Sequence, residues 1–252
     1  TLVGPGANPQ NFSMKPSQRR ALGEADAIFW MGPEMETFMT RLMGSDEFSP
    51  RSHAFLNEDE VENQGHHKQK DHQNHDHHDH GEGLDPHIWL DPLIALDMAR
   101  EIHKVLTGFP KAETAVLDAN LASFEQSLKQ AEARIKEQLA PARKLSLFTY
   151  HNAFTHFAEH YDLPLAGVLT INPELSPGAR HISEVQNKLR KATRPCLMTE
   201  QPFSRDSWKP IVEDIAVTFS QWDPLASEII PDSDGYIALQ QSIAEAVLDC
   251  LY

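Results

Sequence analysis

The stretch Lys144–Thr170, KLSLFTYHNAFTHFAEHYDLPLAGVLT, decides the fold. KLSLFTYH and PLAGVLT are short apolar runs of strand length. NAFTHFAEHYD between them reads as a helix. The pattern repeats downstream. SPGARHISEVQNKLRKAT is a helix with Ser176 as N-cap and Pro177 in its first turn. PCLMTE is a strand, SWKPIVEDI a helix, AVTFSQWD a strand, and YIALQQSIAEAVLDCL a closing helix. Strands alternating with helices predict an α/β fold with a parallel sheet covered on both faces.

Upstream lies the longest periodic stretch, PKAETAVLDANLASFEQSLKQAEARIKEQLAPA, bracketed by Pro110 and Pro141. Leu117, Leu121, Phe124, Leu128, Ala131, Ile135 and Leu139 recur at three- and four-residue spacing and form one apolar stripe. A helix of about 27 residues is about 40 Å long, more than one small domain needs. It is expected to span two. The expected organisation is an N-terminal lobe over 1–111, a spanning helix over 112–140 and a C-terminal lobe over 141–252. In the first lobe, ADAIFWMGPEME predicts a strand over Ala27–Met31, a turn at Gly32-Pro33 and a helix. Periodicity then vanishes over 44–86, which predicts a long mobile loop. LIALDMAREIHKVL follows as an amphipathic helix.

The chain has 252 residues, 40% hydrophobic and 23% charged, an ordinary globular composition. Its formal net charge of -15 argues against nucleic acid and anionic membranes as partners. It contains no apolar run long enough for a transmembrane span. It opens on TLVGPGANPQ, with no signal peptide, as expected of a mature or trimmed form. Cys196 and Cys250 form no CxxC motif. They are either two buried thiols or one long-range disulfide, and the second needs an oxidising compartment.

Histidine is the unusual residue. Seven of the 14 histidines crowd the loop: His66, His67, His72, His75, His77, His78 and His80. With Asp71, Asp76 and Asp79 they form a low-affinity zinc capture segment without fixed geometry. Three other residues are candidate ligands of a defined site. In open α/β sheets ligands sit beyond the carboxyl ends of the strands. His151 ends KLSLFTYH, Asp223 ends AVTFSQWD, and His87 lies in DPHIWLDP before an apolar segment that fixes its backbone. Two imidazoles and a carboxylate suit zinc. His53, His103 and His181 read as ordinary surface or helix histidines. HFAEH, His156–His160, matches the H-x-x-E-H pattern of zinc peptidases, with Glu159 as general base between His156 and His160. Short patterns arise easily in a histidine-rich chain, so this enzyme reading ranks last.

GANPQNFSMKPSQRRAL, DPHIWLDP, TYHNAF, NPELSPGAR, MTEQPF and WDPLAS occur in that order. Together they resemble the periplasmic zinc-binding proteins of bacterial zinc ABC importers, over essentially the whole chain. The resemblance implies two α/β lobes with mainly parallel sheets, joined by one long rigid helix, with the metal between the lobes. It implies a Cys196–Cys250 disulfide, the His-rich loop, and a solute receptor rather than an enzyme. It implies Zn(II) as the transported ligand, held by His87, His151 and Asp223. A permease of a zinc ABC transporter is the implied partner, and a periplasmic zinc chaperone a second candidate. A monomer in the periplasm is expected. A zinc buffer or metallochaperone that serves no transporter is the alternative. Two departures stand out. Gln10 occupies the place of the family's first histidine, and an amide oxygen is a poor zinc ligand. The family's first strand and helix are not seen upstream, so a reduced or truncated first lobe is expected.

Overall fold

The computed structural model describes residues 1–4, 9–56, 85–170, 178–200 and 208–252. These residues fall into two compact units, one drawn from 1–56 with 101–112 and one drawn from 85–100 with 113–252.

In the first unit, helix α1 (Pro16–Glu24) starts with Pro16, whose missing N–H suits a first turn. The Lys15 backbone N–H donates to Gln18 Oε1 at 2.8 Å. Strand β1 (Ile28–Trp30) falls inside the predicted Ala27–Met31. A 3-10 turn over Thr37–Met39 leads into the short helix α2 (Thr40–Met43). Gly32, between β1 and this turn, is required. Its φ is +133°, and a Cβ there would sit 2.7 Å from the Leu56 carbonyl oxygen. The 44–86 stretch, expected to be loop, contains a strand. β2 (Ser52–Ala54) pairs in parallel with β1, Phe29 opposite His53. Leu22, Ile28, Trp30, Met39, Met43 and Phe48 make this unit's core.

The second unit holds a four-stranded parallel sheet in the order β4-β3-β5-β6. The strands are β3 (Ser146–His151), β4 (Leu165–Thr170), β5 (Pro195–Glu200) and β6 (Thr218–Trp222). Side chains alternate between faces, as strand geometry dictates. Leu147, Cys196 and Met198 point into one core, Phe148 and Leu197 into the other. The first core is closed by α4 (Thr114–Gln138), α5 (Thr155–His160) and α8 (Gly235–Asp249). The second is closed by α6 (Ala179–Lys191) and the single turn α7 (Lys209–Val212). The N-terminal signal expected for α6 at Ser176 and Pro177 lies outside the described residues.

The long helix α4 has 25 residues and belongs to the second unit. Its apolar stripe is fully buried only in its C-terminal half, at Leu128, Ala131, Ile135 and the following Leu139. Leu117, Leu121 and Phe124 remain half-exposed. The residues of helix α3 (Pro92–Thr107) divide between the units after Arg100. Cys196 and Cys250 are disulfide-bonded with Cα atoms 5.7 Å apart, which ties the end of α8 to β5. Among the described residues no helix is long and apolar enough to cross a membrane.

Candidate metal centre

His151 is the last residue of β3, at the carboxyl end of the parallel sheet. His87 follows Asp85-Pro86 and immediately precedes a 3-10 turn over Ile88–Leu90. The histidines are 64 residues apart in sequence, yet their Nε2 atoms lie 3.4 Å apart. Both residues are buried, at 2% and 5% exposure. Their rings meet edge to face with centroids 5.1 Å apart.

Each ring is oriented from behind by a buried carboxylate. Asp85 Oδ1 lies 2.8 Å from His87 Nδ1 and also accepts the His87 backbone N–H at 2.9 Å. Asp85 Oδ2 accepts the Thr155 N–H at 3.1 Å, which ties the pair to the start of α5. Burial alone would raise the Asp85 pKa. The His87 ring and N–H, with the nearby His156, outweigh it and hold Asp85 below the usual carboxylate range. Glu200 Oε2 lies 2.5 Å from His151 Nδ1. Register explains this contact: Thr149 pairs with Met198, so the same offset brings the end of β3 beside the end of β5.

The Nε2–Nε2 distance is also that of a hydrogen bond between the rings. A carboxylate only accepts, so in the tautomer with each Nδ1 protonated toward its carboxylate, both Nε2 lone pairs are available to a metal. A tetrahedral zinc with Zn–N bonds of about 2.05 Å has an N···N edge of about 3.3 Å. The observed separation matches that edge. Carboxylates behind metal-binding imidazoles fix the tautomer and raise ligand basicity.

Asp223 is half-buried one residue after β6. Its Oδ1 accepts the Leu225 N–H at 2.9 Å and its Oδ2 the Ser227 N–H at 2.6 Å, so it shapes its own turn. Gln10 lies in a 3-10 turn over Pro9–Asn11, in the first unit. His66, His67, His72, His75, His77, His78 and His80 lie outside the described residues. Among the described residues no group of three or more His, Cys, Asp or Glu side chains gathers as a metal cage. The two histidines of the H-x-x-E-H pattern are otherwise engaged. His156 Nε2 lies 2.9 Å from the Asp85 carbonyl oxygen. His160 lies between Asp91 and Glu132, at 3.3 and 3.1 Å, and Glu159 is exposed. His53 stacks on Phe29, and His181 Nε2 meets the Val168 carbonyl at 2.9 Å, so both are structural.

The family described as "Zinc-uptake complex component A periplasmic" matches residues 1–250. This chain belongs to the ZnuA family. It is 31% identical over 272 residues to the high-affinity zinc uptake system protein ZnuA of Yersinia pestis, covering 99% of this chain and 83% of that one. It is 27% identical over 282 residues to the ZnuA of Brucella abortus, covering 99% and 84%. In fold it is similar to the periplasmic zinc-binding protein TroA of Treponema pallidum, with a TM-score of 0.76 and 18% identity, over 99% of this chain and 89% of that one.

The sequence singled out His87 and His151, which the fold brings together, but not the carboxylates Asp85 and Glu200 beside them. Asp85 was legible as the Asp-Pro-His triplet, whose side chain reaches the N–H two residues on. Glu200 ends PCLMTE, the same kind of strand end that singled out His151.

Proposed function

We propose that this chain captures Zn(II) in the periplasm and delivers it to the membrane permease of a zinc ABC importer. The observation that carries this reading is the pair of carboxylate-backed imidazoles with Nε2 atoms 3.4 Å apart. In this reading His87 and His151 are the two strong donors. The relatives' names, high-affinity zinc uptake system proteins, support zinc as cargo. Two neutral nitrogens favour zinc over manganese in the Irving–Williams order.

Zinc wants four donors. Asp223 is the proposed third. Each of its oxygens accepts one backbone N–H, which leaves lone pairs for a metal. Gln10, water or a histidine of the 66–80 segment completes the shell. That segment acts as a weaker secondary site. The chain works as a monomeric receptor rather than as an enzyme, with a periplasmic zinc chaperone as a second partner.

Competition calorimetry tests the assignment. His87→Ala and His151→Ala should each abolish the tight zinc step while weak binding by the histidine-rich segment survives. Wild-type affinity in both variants would leave only that segment as a metal binder.

A further inference from the structure

Helix α8 reaches the turn that carries His87, from about 150 residues away in the chain. Tyr236 Oη donates to the Trp89 carbonyl at 2.8 Å. Gln240 Nε2 donates to the Leu90 carbonyl at 3.0 Å and to Tyr236 Oη at 3.0 Å. Gln240 Oε1 accepts from Tyr161 Oη at 3.2 Å. The two carbonyls are consecutive, in the turn directly after His87. The Trp89 ring packs on the His87 ring, with centroids 5.1 Å apart, and its indole N–H donates to the Pro224 carbonyl at 3.0 Å.

The network has a single polarity. The Tyr236 proton is spent on the Trp89 carbonyl, so Tyr236 Oη must accept from the Gln240 amino group. The second amino hydrogen goes to the Leu90 carbonyl, and the amide oxygen is left for the Tyr161 hydroxyl. A flipped amide would set its oxygen against the Leu90 carbonyl, acceptor against acceptor. Gln240 is 1% exposed on a helix face otherwise packed with Leu239, Ile243 and Val247. Buried amides are costly unless fully partnered, and a fully partnered network fixes one geometry. Asp85 orients the His87 ring, and α8 holds the backbone of the turn that follows it.

We propose that Gln240 and Tyr236 are positioning residues for zinc capture, holding the Trp89 and Leu90 carbonyls so that His87 Nε2 meets His151 Nε2 at metal-binding distance. This rests on the reading of His87 and His151 as zinc donors. Groups that support metal ligands from outside typically change affinity by about 10–100-fold when altered. Tyr236→Phe removes one of the two carbonyl contacts, and Gln240→Leu removes the other along with the support of Tyr236.

The test is a zinc competition titration, with Co(II) absorption spectra as a second readout, on the full chain. Tyr236→Phe and Gln240→Leu should each weaken zinc binding about 10-fold or more and shift the Co(II) ligand-field bands. Ser220→Ala is the control. It deletes a buried hydrogen bond to the Ala246 carbonyl of the same helix, at 2.6 Å, without touching the His87 turn. It should lower thermal stability with wild-type zinc affinity and Co(II) spectrum. Should Gln240→Leu not fold, Tyr236→Phe decides, since it loses a single oxygen atom. Wild-type affinity and spectrum in Tyr236→Phe, or an equal loss in Ser220→Ala, overturns the inference. The underlying reading fails separately: if His87→Ala binds zinc as the wild type does, the imidazole pair is not the site.

Discussion

Replacing Glu200 by glutamine keeps the shape of a buried side chain and removes its charge. Glu200 is 2% exposed and its Oε2 lies 2.5 Å from His151 Nδ1. Hydrogen bonds to charged groups contribute about 1.5–3 kcal/mol and neutral ones about 0.5–1.5. The carboxylate matters most when His151 carries metal charge, so the difference falls on the zinc-bound state. A loss of about 1–2 kcal/mol in binding follows, roughly 5–30-fold in affinity. Zinc stabilises the fold by mass action, so a tenfold weaker site removes about 1.4 kcal/mol of that protection at saturating zinc. For a chain of this size that is about 3–5 °C less zinc-induced rise in melting temperature. Differential scanning fluorimetry with and without zinc, beside a chelator competition assay, reads both quantities. An unchanged affinity and an unchanged zinc-induced shift in Glu200→Gln would refute the orienting role. A loss as complete as that of His151→Ala would make Glu200 itself a metal ligand.

Gln10→His should tighten zinc binding, measured by calorimetry, if Gln10 belongs to the proposed shell, because an imidazole is a better zinc donor than an amide oxygen; weaker binding would count against Gln10 as a position of the site. Reducing the Cys196–Cys250 disulfide, which spans 54 residues, should cost about 4 kcal/mol in the chain-entropy model, read by denaturant titration with and without reductant. Burial alone would lower the His160 pKa, but the hydrogen bond and charge of Asp91 and the charge of Glu132 hold it above 6.5. Its contribution to stability is therefore full below pH 6.5 and is lost as pH rises through the raised value. Asp91 is opposite in sign: burial raises it, His160 and two backbone N–H groups hold it below 3.8, and its contribution is lost as pH falls through that lowered value. Thermal melts should fall more steeply above pH 6.5 in the wild type than in His160→Asn, and parallel curves would dismiss the ion bridge.

Local pattern was enough for the second unit's sheet. The strands around His151, Cys196 and Trp222 and the helices between them announce themselves by apolar runs and helical spacing, which depend on near neighbours alone. The same reading placed His151 at a strand end and His87 in a fixed turn. Pattern failed where long-range backbone pairing makes the structure. Ser-His-Ala at 52–54 has no apolar signal, and it is a strand because β1 supplies its hydrogen bonds. The cysteine pairing was open from the residues and came from the family resemblance, since a disulfide depends on which strand and helix end meet. The half-exposed stripe of α4 at Leu117 and Leu121 shows the same limit: periodicity marks a face, but only packing decides how much of it is covered. The site shows it most sharply. Which residue types could bind zinc was written in the chain. That Glu200 backs His151, and that Gln240 holds the carbonyl of Leu90, follows from strand register and helix docking across 49 and 150 residues, distances over which sequence spacing carries no geometric information.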